Sequence, residues 1–356
     1  MKEHKIMQTK KTIYLHIGMP KSGSTSIQTF LYEKADELSE KYDIFYPLTD
    51  NHSDNTINGK INYREIMLEA YYKKKGNIKS YNKFFEDNFL PKILENKCNK
   101  IIFSEEFIFM CCRDTKITDI FIKHGFNVKI IVYLRKPYEY IATLWQENLK
   151  PYMDNFHYSV EDFAQITDIN YDLILKFIEK LGRENVLVRP FEKAQWKNEN
   201  LIEDFFETAG VKNFGNVNFP VQNSSYNRNL AEFMLLLKGT GISRNKLVKL
   251  LKDNIEIFVK SENNPNIDNM NDFDLTELIG KNTSNNPKIA DTLSDKFIEN
   301  LNNRYSEIIK QISQIYGKES IFLNKYPDYY GKERAEYDSL TLSYEQLNLL
   351  HKAMSL

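Results

Sequence analysis

Residues 11–31 read KTIYLHIGMPKSGSTSIQTFL, and this stretch decides the fold. Ile13, Leu15 and Ile17 alternate as in a β-strand. The small-residue run 18–26 follows with one lysine, Lys21, and then Ile27, Phe30 and Leu31 recur at helical spacing. Strand, loop and helix in that order build an anion site. The first amides of a helix have no partner within it, and the peptide dipoles turn their positive end to them. A loop poor in bulky side chains lets a phosphate or sulfate approach those amides. The loop is the expected centre of an active site.

Working outward, the same alternation of strand and helix recurs. YDIFYP (42–47), KIIFS (100–104), VKIIVYLR (128–135) and NVLVR (185–189) read as short apolar strands. Between them, 26–41, 63–72, 80–95, 115–124, 138–149, 161–181 and 201–209 carry helical spacing, while 48–60 is polar and loop-like. Continuous apolar strands separated by helices predict a parallel sheet covered on both faces. Ligands in such folds bind beyond the carboxyl ends of the strands. That rule selects Gly18–Ser26, Ser104–Glu106 and Arg135–Pro137. Further on, helices are expected over 229–237, 243–254 and 292–316, with an Asn/Asp-rich loop at 263–274. Ser343 and Gln346 form a capping box for a last helix. The domain expectation is a loose lead-in over 1–10 and an α/β body over 11–316. Within that body about 211–316 is helical and acceptor-facing, and a C-terminal extension covers 317–356.

Composition narrows the function. The 48 Lys and Arg against 49 Asp and Glu leave a net charge of −1, which argues against a general nucleic-acid binder. With 42% hydrophobic residues the chain can form a sizeable core. The three cysteines, Cys98, Cys111 and Cys112, have neither zinc spacing nor an even count for disulfides. No histidine pair has metal spacing. The start, MKEHKIMQTKK, lacks the apolar stretch of a signal peptide, and no apolar run is long enough to span a membrane. A soluble, cytoplasmic protein is expected.

The loop is not a nucleotide-triphosphate loop of the Walker type, whose lysine follows the last glycine. Here Lys21 precedes Gly23, and no magnesium-binding aspartate ends KIIFS. The order Pro20, Lys21, Ser22, Gly23, Ser24, Thr25 after a strand resembles the 5′-phosphosulfate loop of sulfotransferases that use 3′-phosphoadenosine 5′-phosphosulfate (PAPS). A second motif agrees. In that family an Arg leaving a central strand, a Pro two residues later and a Ser eight residues after the Arg hold the 3′-phosphate. Here these are Arg135, Pro137 and, as a departure that keeps the hydroxyl, Thr143. The bacterial, carbohydrate-type branch places a glutamate just after the third strand read here, which falls on Glu106 with Glu105 beside it. Adjacent residues leaving a strand point to opposite sides, so one of the two faces the substrate, and Glu106 is preferred. An acidic helix start stabilised by the dipole stays open for either.

The resemblance implies a P-loop-like three-layer α/β fold and sulfuryl transfer to a hydroxyl acceptor, a glycan by preference, with PAPS as donor and 3′-phosphoadenosine 5′-phosphate (PAP) as product. It implies no metal and no membrane span. The loop from Pro20 to Ser26 would hold the phosphosulfate, and Lys21 would neutralise the leaving oxygen. Glu106 would take the acceptor proton, and Arg135 with Thr143 would fix the 3′-phosphate. An aromatic after the NVLVR strand contacts adenine in related enzymes, so Phe191 is a candidate and equally a core residue. NSSYNR (223–228) resembles the branch's polar stretch before a C-terminal helix, with no role assigned. Arg113 and Lys73–Lys75 are candidates for meeting an anionic acceptor or plain solvated charge. Trp145, Tyr152 and Trp196 are the aromatic supply for a glycan. His16, inside the first strand, reads as a hydrogen-bonded core histidine ahead of a site residue, and His124 as a cation at a helix end. The rival readings are a P-loop kinase or phosphotransferase, and a silent nucleotide- or glycan-binding protein.

Overall fold

A computed structural model of the chain describes residues 10–48, 74–153, 156–215, 226–259, 269–283, 289–323, 340 and 342–355. The helix expected over 63–72, the loop over 49–60, the lead-in before residue 10, Lys73, and 223–225 of NSSYNR lie outside these residues. So do residues 324–339, 341 and 356 of the extension. The chain divides into two compact units. The first takes in the described parts of Met1–Arg135, Ile169–Val221 and Glu307–Leu323, and the second those of Lys136–Asp168, Gln222–Ser306 and Asn324–Leu356.

The first unit contains a parallel five-stranded sheet of β1 (Thr12–His16), β2 (Ile44–Phe45), β3 (Lys100–Ser104), β4 (Asn127–Leu134) and β5 (Val186–Pro190). Their order is β2-β3-β1-β4-β5, so β1 is the middle strand. Thr12 stands opposite Lys100 on one side and Asn127 on the other. β4 runs on past β1 and pairs Leu134 with Pro190. Its Val128, Ile130, Ile131 and Val132 favour a pleated, buried surface. β2 is shorter than YDIFYP suggests, because Asp43 takes a left-handed conformation (φ 58°) that ends the preceding helix.

Helices cover both faces of the sheet, as a P-loop-like α/β fold requires. On one face α1 (Ser24–Glu33) and α2 (Ala35–Tyr42) bury Ile27, Phe30, Leu31 and Leu38 against Tyr14, Ile102 and Tyr133. On the other, α3 (Ile78–Asn88), α4 (Leu90–Glu95) and α6 (Asp119–Lys123) bring Phe85, Phe89 and Phe121 onto Phe103 of β3, with ring centroids 5.1–6.3 Å apart. The short α5 (Phe107–Cys111) follows β3. Two helices expected as single break in two, and the helical pattern over 161–181 resolves into two helices as well. Residues 26–41 split at Lys34, where φ is −111° and ψ 13°. Residues 80–95 split at Phe89, because Pro91 has no amide to continue the first helix. Residues 161–181 split into α8 (Val160–Ile166) and α9 (Asp172–Leu181). α9 packs on β4 and β5 through Leu173, Ile174 and Phe177.

A buried charge network closes the first unit. Asp204 of α10 (Leu201–Thr208), 1% exposed, accepts from Tyr133 Oη (2.7 Å), from Arg189 Nε and Nη2 (3.0 and 2.5 Å) and from the Lys197 amide (3.0 Å). Desolvation, and after it the Asp204 carboxylate, push the Tyr133 hydroxyl well above its ordinary pKa. Removing the carboxylate strands a buried phenol and a half-buried guanidinium. Asp204→Ala should therefore cost about 3–5 kcal/mol, read as a denaturant midpoint shift at unchanged slope. A loss under about 1 kcal/mol would show the network to be dispensable.

The described part of the second unit is helical, made of α7 (Pro137–Asn148), α8, α11 (Arg228–Gly239), α12 (Arg244–Lys252), α13 (Asp272–Thr283), the start of α14 (Asp295–Ile315) and α15 (Tyr344–Met354). Trp145 is 1% exposed and donates Nε1–H to the Tyr158 carbonyl at 2.8 Å. Gln146 donates to the Tyr226 carbonyl at 2.8 Å, and the buried Lys238 ammonium to the carbonyls of Asn148 and Met153. α15 begins with the expected capping box at Ser343 and Gln346 and buries Leu349 and Ala353. α13 replaces the last part of the loop expected over 263–274: its Asp272 and Asp274 suit a helix start as well as they suit a loop. Among the described residues no helix is long and apolar enough to cross a membrane. Cys98 and Cys112 are buried free thiols, and Cys111 is half-buried.

Candidate active site

Because every strand is parallel, their carboxyl ends share one edge of the sheet. Along that edge in space come Glu106 after β3, the Gly18–Gly23 loop after β1, Arg135 after β4 and Phe191 after β5. Three backbone bonds carry the ladder to this edge. The Glu105 amide donates to the His16 carbonyl (2.9 Å), the Ile17 amide to Ile131 (3.0 Å) and the Phe191 amide to Leu134 (2.6 Å). Neighbouring strands lie about 4.8 Å apart, so these side chains fall within the span of one nucleotide.

The loop is shaped by close approach. Gly18 (φ 27°) has Ser24 Oγ 2.6 Å from where a Cβ would stand, with His16 Cε1 at 3.4 Å and Glu106 Cβ at 3.5 Å. Gly23 (φ 76°) caps α1, and a Cβ there would lie 2.3 Å from Leu201 Cδ2 and 3.0 Å from Phe191 Cε2. No side chain caps α1, so its first amides stay available to a ligand. Ser22 and Ser24 are buried, and neither hydroxyl has a hydrogen-bond partner among the described residues. Buried hydroxyls are normally satisfied, so a loop that leaves two of them open is built around something polar. Pro20 and Ser26 are buried and Thr25 is exposed. Lys21 is half-buried and holds a left-handed backbone, φ 63°.

Arg135 sits against this loop. Its Nη1 donates to the Lys21 carbonyl at 3.0 Å, its amide to Met19 Sδ at 3.3 Å, and its guanidinium lies 5.0 Å over the Phe191 ring. Its own carbonyl accepts from Tyr171 Oη at 2.5 Å. Phe191 is half-buried and packs on Trp196, 5.0 Å between centroids. The two glutamates differ. Glu105 is fully buried and its Oε1 accepts from the Phe107 amide at 2.9 Å, which is the helix-start role left open for it. Glu106 is half-buried and begins beside Gly18. Thr143 belongs to α7 in the second unit, where its hydroxyl donates to the Glu139 carbonyl at 2.7 Å. His124 is paired with Glu86 at 3.0 Å, and Arg113 is exposed.

His16 is a core histidine, as its position inside a strand suggests. It is fully buried, bonded through Nδ1 to Ser104 Oγ at 2.8 Å, and edge-on to Phe205. Gln28 Nε2 donates to the same Ser104 oxygen at 3.1 Å, so one hydroxyl ties β1, β3 and α1 together. Desolvation pulls the imidazole down from 6.5 to about 3. Between those values the unfolded chain takes up a proton that the native state refuses, so stability falls as pH drops from about 6.5. At pH 5 this costs on the order of 2 kcal/mol. His16→Asn should lose less stability than wild type between pH 7 and pH 5 by that amount in denaturant melts, and equal losses would contradict a neutral His16. Sequence reasoning had no signal for Met19, Gln28 or Tyr171 at the site, since each acts through a tertiary contact. Ser104 was visible only as the start of the strand end Ser104–Glu106.

No protein-family model matches the chain, and no curated protein matches it either. Among solved structures, the chain is similar to a mouse sulfotransferase complexed with PAP, at 12% identity and a TM-score of 0.40, over 86% of this chain and 87% of that one. It is also similar to retinol dehydratase in complex with androsterone and the inactive cofactor PAP, at 13% identity and a TM-score of 0.39, over 89% and 83%. The functional reading rests on this chain's own residues.

Proposed function

We propose that the chain is a sulfotransferase that moves a sulfuryl group from PAPS to a hydroxyl acceptor. The observation that carries this is the order along the sheet edge, with Glu106 on one flank of the loop and Arg135 with Phe191 on the other. A loop between a carboxylate and a cation-plus-ring pair suits a transfer in which acceptor and nucleotide approach from opposite sides.

The transfer is one in-line displacement. The amides of Gly23–Ser26 and the hydroxyls of Ser22, Ser24 and Thr25 hold the phosphosulfate. The acceptor oxygen bonds to sulfur as the bond from sulfur to the 5′-phosphate oxygen breaks. Lys21 stabilises the charge growing on that leaving oxygen, and Glu106 takes the acceptor proton. The guanidinium of Arg135 suits the 3′-phosphate, and Phe191 suits the adenine face. Thr143 would donate to that phosphate only by giving up its bond to the Glu139 carbonyl. No step calls for a metal. The acceptor class is a glycan in the first instance, although burial of Trp145 removes one of the three aromatics behind that preference.

Calorimetry in EDTA tests the reading. PAP should bind at least tenfold more tightly than adenosine 5′-phosphate, and ATP weakly. Arg135→Ala should lose about 2–3 kcal/mol of PAP affinity, the worth of a charge-assisted contact, and much less for adenosine 5′-phosphate. Equal losses would remove the 3′-phosphate site. ATP binding that needs Mg²⁺ would turn the reading to a kinase, and PAP binding with no transfer of label from PAPS to any acceptor would leave a binding protein.

A further inference from the structure

Lys21 is a side-chain-bearing residue in the left-handed region, φ 63°, at the point of the loop where the chemistry is expected. That conformation crowds Cβ against the backbone and is adopted when surrounding contacts impose it. Arg135 supplies part of those contacts. Its guanidinium holds the Lys21 carbonyl at 3.0 Å and its amide holds Met19 Sδ at 3.3 Å, while the Ser22 amide closes the turn on the Met19 carbonyl at 3.1 Å. The guanidinium is backed by the Phe191 ring, which also borders Gly23, and the Arg135 carbonyl is pinned by Tyr171.

We propose that Arg135 is the positioning residue of the anion loop as well as a ligand of the 3′-phosphate, so that the two anion subsites are energetically linked through its bond to the Lys21 carbonyl. This rests on the reading above for the identity of the second subsite. Arginine carries several N–H donors in one rigid fork, a geometry able to serve a carbonyl and a phosphate together. A 3′-phosphate that orders the fork thereby steadies Lys21, and linkage makes the effect reciprocal. Lysine keeps the charge but is a single point donor. It cannot grip the carbonyl and a phosphate from two edges of one plane.

The test uses inorganic pyrophosphate, which has neither adenine nor a 3′-phosphate, titrated into wild type, R135K and R135A by calorimetry. If Arg135 served the 3′-phosphate alone, R135K would bind pyrophosphate as wild type does, and that result would overturn the proposal. The expected result is about fivefold weaker pyrophosphate binding in R135K, and faster amide exchange at Ser22–Ser24 in the unliganded variant. R135A should show a larger loss, and thermal melts check its fold, R135K carrying the test if R135A fails to fold. PAP and adenosine 5′-phosphate are titrated in parallel. Equal affinity of wild type for the two would overturn the linkage by removing the second subsite, a failure distinct from an unchanged pyrophosphate constant.

Discussion

Lys21→Ala should lower kcat about a thousandfold at saturating PAPS, while PAP binding weakens no more than about tenfold. The asymmetry follows from where charge appears. On the proposed reading, the α1 amides and the hydroxyls beside them already hold the phosphosulfate in the ground state. The bridging oxygen becomes strongly negative only as the bond to sulfur breaks, so a cation aimed at it acts mainly on the transition state. The half-buried Lys21 side chain projects from a carbonyl fixed by Arg135, which limits its freedom before the reaction begins. Once an acceptor has been found by screening with labelled PAPS, steady-state kinetics supply kcat and calorimetry supplies the PAP constant. A kcat within tenfold of wild type would remove Lys21 from the chemistry.

The second large effect separates the neighbouring glutamates. Glu106→Gln should reduce kcat by about a thousandfold, within the usual range for a lost general base. Glu105→Gln should leave kcat within a few-fold. The side chain of Glu105 is spent on the Phe107 amide, and a glutamine keeps an oxygen to accept from it. Glu105→Ala removes that acceptor and should cost about 1–2 kcal/mol of stability with kcat still near wild type. The reverse pattern, Glu105→Gln inactive and Glu106→Gln near wild type, would transfer the base to Glu105.

Strand ends were the legible part of this molecule. β1, β3, β4 and β5 are short β-branched runs whose burial on both faces removes ambiguity, and parallel order puts their exits on one edge. That is why the strand ends could be picked out, with the family resemblance then pointing to Lys21, Glu106, Arg135 and Phe191 on them. Helix breaks were less visible, because the apolar period runs on through Lys34 and 167–171 while the backbone turns. α13 hid behind aspartates and asparagines that serve loops and helix starts alike. Contacts were not visible at all. Nothing in RKP or MPK says that the Arg135 fork reaches the Lys21 carbonyl. Nor does LHI reveal that His16 shares one serine hydroxyl with Gln28.

The central place of β1 also bears on how the site comes into being. A ribosome releases β1 well before either of its neighbours, one starting at Lys100 and the other at Asn127. At ordinary translation speeds the strand waits on the order of ten seconds for the second of them. Until β3 emerges β1 has two open edges, and until β4 follows one edge stays open and the loop β1 carries lacks Arg135. A nascent chain stalled before β4 would present an aggregation-prone ribbon with no capacity for the nucleotide. The proposed donor site is thus complete only once Arg135 has followed β4 out of the ribosome.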